Sequence, residues 1–209
     1  MKHIKYTLIA DGSSDSTLIK VIDWTLNSLY PDFSYESQFA DFRRLPSPPK
    51  TLEDKIIRAS ILFPSDILFI HRDAESTTQK GFENRINEVK SILKEEEKDK
   101  TICIVPIKMM ESWLLFDKEA MKKAAGNRNY KAEINLPNPK ELENVAQPKE
   151  MLHQLLKDVS GLTGRRLDKF NPNQVVHQLA DYIEDFSILK ELSSYQVFEK
   201  DLIRVMSLA

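Results

Sequence analysis

The chain of 209 residues has one cysteine, Cys103, and therefore no disulfide of its own. The cross-linked framework that supports small secreted scaffolds is excluded. Cys103 lies inside the apolar run TICIVPI, where a buried, inert thiol is expected. No run of eighteen apolar residues occurs, which argues against a helical membrane span. The opening MKHIKYTLIADG lacks a long apolar segment and turns acidic at once, so a signal peptide is not expected and a cytoplasmic protein is. A basic excess is also missing: 30 Lys and Arg stand against 32 Asp and Glu, a formal net charge of −2. Binders of nucleic acid usually carry such an excess. Only residues 118–170 lean positive, with eleven basic side chains against seven acidic. There is no Gly-rich Walker loop, no G-x-S-x-G and no Cys/His cluster; His3, His71, His153 and His177 show no metal spacing.

What is present is a regular alternation of short apolar runs with amphipathic ones. HIKYTLIA (3–10) reads as a strand, DGSSD as a turn with Ser13 or Ser14 capping a helix, and STLIKVIDWTLNSLY as that helix. FSYESQFADF (33–42) is a second strand, and a proline-rich loop carrying Arg43, Arg44 and Lys50 follows it. Thr51 with Glu53 and Asp54 opens a second helix. DILFIH (66–71) is apolar without alternation, as in a strand covered on both faces. A third helix over QKGFENRINEVKSILKEEEK, a strand over TICIVPI (101–107) and a helix from Glu111 to a stop at Gly126 complete the series. Four β-α units in a row predict an α/β fold with a mostly parallel four-stranded sheet and flanking helices over 1–126. Residues 127–209 begin as a polar, proline-containing loop and continue as three amphipathic helices, a helical C-terminal extension packed on the sheet.

Ligands of open parallel sheets gather beyond the carboxyl ends of the strands. The informative acids fall there. Asp11 ends the first strand, with Gly12 and Asp15 after it; Asp73 and Glu75 end the third; Glu111 follows the fourth, with Lys108 just before it. Asp73 and Glu75 would share a side if the extended backbone persists. Converging carboxylates repel one another unless a hard divalent cation lies between them, and Mg²⁺ or Mn²⁺ suits an oxygen-only set. Each acid alone has an ordinary explanation as a cap, a loop residue or a first-turn residue. Their coincidence at successive strand ends carries the functional reading.

LIADGSSD resembles the first motif of Toprim domains, a strand ending in an acid followed by Gly, and FIHRDAE resembles their D-x-D motif. VPIKMMESWLLFD, LPNPKELENVAQPKEML and QVVHQLADYIEDFSILKELSSYQVFEKDL together resemble a bacterial Toprim-like family of unknown function, domain-of-unknown-function family 4276, over most of the chain. The first acid is usually Glu in Toprim domains and is Asp11 here; the second motif is Asp73-x-Glu75 rather than two aspartates. The resemblance implies a Toprim-like sheet related to topoisomerases, primases and overcoming-lysogenization-defect (OLD) nucleases. It implies Asp11 in an acid/base or metal role, Asp73 and Glu75 as a metal pair, and Glu111 as the acid before Trp113. The expected activity is Mg²⁺- or Mn²⁺-dependent cleavage of nucleic-acid phosphodiesters, in phage defence with an ABC- or OLD-type ATPase partner. Lys108 is a catalytic candidate beside Asp11, and Arg72, Arg165 and Arg166 are candidate phosphate contacts. Two other readings stay open. One is a catalytically decayed regulatory or scaffold subunit that binds an ATPase. The other is a haloacid-dehalogenase-like phosphatase, in which Asp73, Glu75 and Thr77 imitate an Asp-x-Asp-x-Thr strand end.

Overall fold

In a computed structural model, which describes residues 2–208, the first half alternates strand and helix as the pattern requires. The order is β1 (Lys2–Ile9), α1 (Leu18–Leu29), β2 (Phe33–Phe39), α2 (Leu52–Leu62), β3 (Ile67–His71), α3 (Gln79–Ile92), the single turn α4 (Glu95–Lys98) and β4 (Thr101–Ile104). All four strands are parallel, in the order β2-β1-β3-β4. After α5 (Lys118–Ala124) come α6 (Pro148–Ser160), the turn α7 (Arg165–Asp168), α8 (Pro172–Tyr182) and α9 (Ser193–Met206). No helix among the described residues is long and apolar enough to cross a membrane.

Strand pleat divides the interior in two. On β1, Ile4, Tyr6 and Leu8 enter the larger core with α1 and the C-terminal helices, whereas Ile9 enters the smaller core with α2 and α3. On β3 the odd residues Ile67 and Phe69 face the larger core and the even residues Leu68 and Ile70 the smaller. The larger core is continuous across the chain: Phe69 and Trp113 meet Phe198, Trp113 meets Tyr195, and α9 lies along β4. The C-terminal helices thus cover one face of the sheet.

Several boundaries differ from the sequence expectation. The third helix stops at Ile92, because Leu93 turns extended and is buried in the smaller core. Lys94 then opens α4 with its backbone N–H donating to Glu97 Oε2 at 2.9 Å. β2 ends at Phe39, and Asp41 accepts from Arg43 N–H to begin a 3₁₀ turn over Phe42–Arg44. β4 ends at Ile104, shortly before Pro106, which has no N–H to extend a ladder. The helix expected from Glu111 to Gly126 is two pieces: a 3₁₀ segment over Met110–Leu114, then α5, whose start is capped by Asp117 accepting from Ala120 N–H at 2.9 Å. Gly126 does stop the chain in the left-handed region, at φ 73°. Neither Ser13 nor Ser14 caps α1; the loop is closed instead by Gly12 N–H donating to Asp15 Oδ2 at 2.8 Å.

Candidate functional site

The carboxyl edge of the sheet carries the acids, and pleat decides which of them meet. The register Ile9↔Ile70 between β1 and β3, continued two steps, sets Asp11 level with Arg72. Both belong to the α2/α3 side. Asp11 lies 2.6 Å from Lys55 Nζ on α2 and 3.1 Å from Arg72 Nε. Burial acts to raise its carboxyl, but the hydrogen bond and charge of Lys55, with Arg72, outweigh it and hold Asp11 below its ordinary value. Arg72 Nη2 also lies 3.7 Å from Glu88. Asp11 and Arg72, expected as a metal ligand and a phosphate contact, neutralise one another here.

His71 and Asp73 have the opposite parity and face the larger core. The extended backbone persists past β3, since Arg72 N–H donates to Ile104 O and Ala74 N–H to Pro106 O. His71 Nδ1 is 3.1 Å from Ile104 O, an atom that can only accept, so Nδ1 is a donor there and Nε2 faces the acids. Nε2 lies 3.5 Å from Asp73 Oδ1 and 4.0 Å from Asp15 Oδ2. Asp73 Oδ1 accepts from Met110 N–H at 2.8 Å, which fixes the carboxylate beneath the 3₁₀ segment that carries Glu111. Glu111 is 5% exposed, and Lys149 Nζ on α6 is 4.0 Å from its Oε1. Burial raises the Asp73 carboxyl, with the charges of Asp15 and Glu75 adding to it and His71 and the Met110 N–H opposing. Burial raises Glu111 as well, with Asp73 and Asp15 adding to the effect. Asp15 and Asp73 thus flank His71 Nε2, and the charges of both act on the buried Glu111; the three acids follow β1, β3 and β4, which are neighbours in the sheet.

Glu75 does not join them as expected. Its φ of 56° ends the extended run, so the shared side with Asp73 is lost, and its carboxylate pairs with Arg85 at 3.1 Å. The Asp-x-Glu-x-Thr strand end of a phosphatase is broken at the same residue. Lys108 is also left-handed, at φ 65°, and the two strained residues are cross-bonded. Glu75 N–H donates to Lys108 O at 2.9 Å, and Lys108 N–H donates to Ser76 O at 3.0 Å. The Lys108 ammonium reaches Glu75 O at 3.4 Å and, among the described residues, forms no ion pair with the acids. Gly81 on α3 lets this loop close: a Cβ there would stand 2.3 Å from Ser76 Cβ. Arg165 and Arg166 are exposed on α7, after Gly164 at φ 52°, and form no ion pair among the described residues.

A divalent cation can be tested against this donor set. Among the described residues no three His, Cys, Asp or Glu side chains are grouped as a metal centre. A closed cage of the zinc type does not fit. Mg²⁺ is commonly held by one or two carboxylates and keeps several waters. Asp15 and Asp73, both partly exposed and within 4.0 Å of one imidazole nitrogen, fit that pattern, and Glu111 is a buried acid nearby. A cleft of about 390 Å³ opens on the other side of Asp11, between the ends of β1 and β2, lined in part by Gly12, Ser13, Arg43, Lys50 and Lys55. No family model, curated protein or solved structure matches this chain.

The sequence signal for Asp15 was present: it stands four residues after Asp11 in the turn beyond the first strand. His71 shares the parity of Asp73, and that periodicity was readable too. Lys149 gave no local signal, because only the packing of α6 on the Met110–Leu114 segment brings it there.

Proposed function

We propose that the protein is a divalent-cation-dependent phosphodiester hydrolase acting on nucleic acid, with Asp15, Asp73 and Glu111 as its acids. The observation that carries this is the pair of carboxylates Asp15 and Asp73 within 4.0 Å of His71 Nε2 at the topological switch point between β1 and β3, with the buried Glu111 near enough for their charges to act on it. A hard cation bound there would supply charge neutralisation and a water of lowered pKa. Asp73 is held by Met110 N–H on Oδ1, and Asp15 is fixed through Gly12 N–H on Oδ2. His71 Nε2, held in place by the Ile104 carbonyl, stands where it can receive or return a proton beside both acids. Mg²⁺ or Mn²⁺ is the cation that this oxygen set favours. The ATPase partner and the role in phage defence rest on the family resemblance alone.

Purified protein should nick supercoiled plasmid in Mn²⁺ or Mg²⁺, and Asp73→Ala should abolish nicking. Millimolar Mn²⁺ should also raise the melting temperature of the wild type and leave Asp73→Ala unchanged. Nicking that survives this substitution would remove the assignment. The second reading, a decayed regulatory subunit, is favoured by the ion pairs that occupy Asp11. It requires calorimetry to show no divalent-cation binding at millimolar concentration.

A further inference from the structure

The cations at the carboxyl edge are unequally committed. Lys55 is bound to Asp11, Arg72 to Asp11 and Glu88, and Arg85 to Glu75 and Glu88. Arg85 also donates to the Asp73 carbonyl at 2.9 Å, so these guanidinium and ammonium groups are already engaged with carboxylates outside the group of Asp15, Asp73 and Glu111 or with its backbone. Among the described residues, Lys149 is the one lysine or arginine whose charged group lies within 4.0 Å of a carboxylate of those three acids; His71 stands beside the other two. Its distance of 4.0 Å from Glu111 Oε1 is too long for a hydrogen bond. Its side chain is 38% exposed, whereas that of Glu111 is 6% exposed. The ammonium therefore sits on the solvent side of a buried acid with its three N–H groups unspent.

Its position in the chain is equally specific. Lys149 is the second residue of α6, after Pro148 at the first helical position, and α6 packs on the segment that carries Glu111. The first turn of this thirteen-residue helix, which also carries Glu150, therefore brings Lys149 beside Glu111. In their ionised forms the three acids carry three negative charges. A divalent cation would offset two of them and Lys149 the third, so that an incoming phosphodiester would meet no net repulsion.

We propose that Lys149, delivered by the C-terminal helices, is a substrate-facing residue whose ammonium takes a non-bridging phosphate oxygen of the nucleic acid bound at Asp15, Asp73 and Glu111. This rests on the hydrolase reading and names a contact that reading does not contain. A role as plain counter-ion to Glu111 is the alternative, and a double-mutant cycle separates the two. The test is equilibrium anisotropy of a fluorescein-labelled oligonucleotide, single-stranded and duplex, with Ca²⁺ present. The proteins are the full-length wild type, Lys149→Met, Lys149→Arg, Glu111→Gln and the Lys149→Met/Glu111→Gln double variant.

The expected result is a roughly tenfold loss of affinity for Lys149→Met, largely restored by Arg, with the salt slope reduced by about 0.9. The same loss should appear in the Glu111→Gln background, where no buried carboxylate needs a counter-ion. A loss confined to the protein with Glu111 intact would overturn the proposal, and so would equal affinity of all variants or no binding by the wild type. The two assignments fail separately. Lys149→Met that binds like wild type, while Asp73→Ala still abolishes nicking, sinks the phosphate contact and leaves the hydrolase. Nicking that survives Asp73→Ala, with the Lys149 loss intact in both backgrounds, does the reverse.

Discussion

Replacing Glu143 by Ala should destabilise the protein by about 2–3 kcal/mol, although Glu143 is only half-buried and far from the acids in sequence. Its two oxygens take four hydrogen bonds. Oε1 accepts from Ser194 N–H at 2.8 Å and Ser194 Oγ at 2.5 Å; Oε2 accepts from Ser193 N–H at 3.1 Å and Ser193 Oγ at 2.7 Å. Ser193 and Ser194 open α9, whose N-cap position is Leu192, a residue with no side chain able to cap. A carboxylate from another segment therefore performs the capping. Losing a cap costs about 1–2 kcal/mol, and hydrogen bonds to a charged group contribute about 1.5–3 kcal/mol each without being additive. Ser194 is fully buried and accepts in turn from Trp113 Nε1 at 3.1 Å, so its orientation depends on Glu143. For a chain of this size each kcal/mol moves the melting temperature by about 2–4 °C, giving a drop of about 4–12 °C. Glu143→Gln, which keeps one acceptor oxygen, should fall between. Urea unfolding followed by circular dichroism measures the change; Trp113 fluorescence in a Trp24→Phe background reports the indole's lost partner. A Glu143→Ala protein within about 0.5 kcal/mol of wild type would refute the capping argument.

Two further outcomes follow from the site. Burial holds the Asp73 and Glu111 carboxyls above their ordinary values, so the folded chain retains protons that the unfolded chain has released. Their contribution to stability therefore falls as pH rises from the ordinary carboxylate range through the elevated folded values. Asp73→Asn and Glu111→Gln should raise the urea midpoint at pH 7 and lose that advantage near pH 4; a midpoint gain equal at both pH values would contradict the cause assigned. Gly81→Ala should destabilise by roughly 1 kcal/mol, because overpacking against Ser76 exceeds the helix-propensity gain of Ala. Ser76→Gly in the same chain should reverse the sign, and urea denaturation of both variants checks it.

The strands, their order in sequence and the helices between them were legible because burial on both faces leaves short apolar runs and α-helices leave a 3.6-residue period. The acids were legible as residues at strand ends, but their grouping was not. Alternation along β1 places Asp11 with Ile9, and alternation along β3 places Asp73 with Phe69. Which of these faces coincide depends on inter-strand register, and a run such as DILFIH, apolar on both sides, carries no register signal. The turn of Glu75 away from the side of Asp73 was not legible for a different reason. A left-handed backbone at a glutamate is set by the facing loop at Lys108, with no Gly or Asn to announce it.

The relation of the two halves of the chain is itself open to measurement, and the structure sets the magnitude. A fragment ending at residue 126 contains all four strands and all three acids. It would nevertheless uncover the face of the sheet that α9 covers. Phe69 and Trp113 lose their contacts with Phe198, Trp113 loses Tyr195, and Ile102 and Ile104 lose the helix that lies along β4. At about 1.5–3 kcal/mol for each large apolar side chain returned to water, these four alone amount to about 6–12 kcal/mol. That is as large as the whole stability of an ordinary domain, about 5–15 kcal/mol. Thr25 would also lose its hydrogen bond with the buried Tyr195 hydroxyl, at 2.8 Å, and Glu111 the ammonium of Lys149, 4.0 Å away. The fragment 1–126 should therefore show no cooperative urea transition and no near-ultraviolet dichroism, whereas the full chain shows both. A fragment that unfolds cooperatively would mean that the C-terminal helices are an appendage; its failure to do so means that the sheet, its acids and Lys149 fold as one unit.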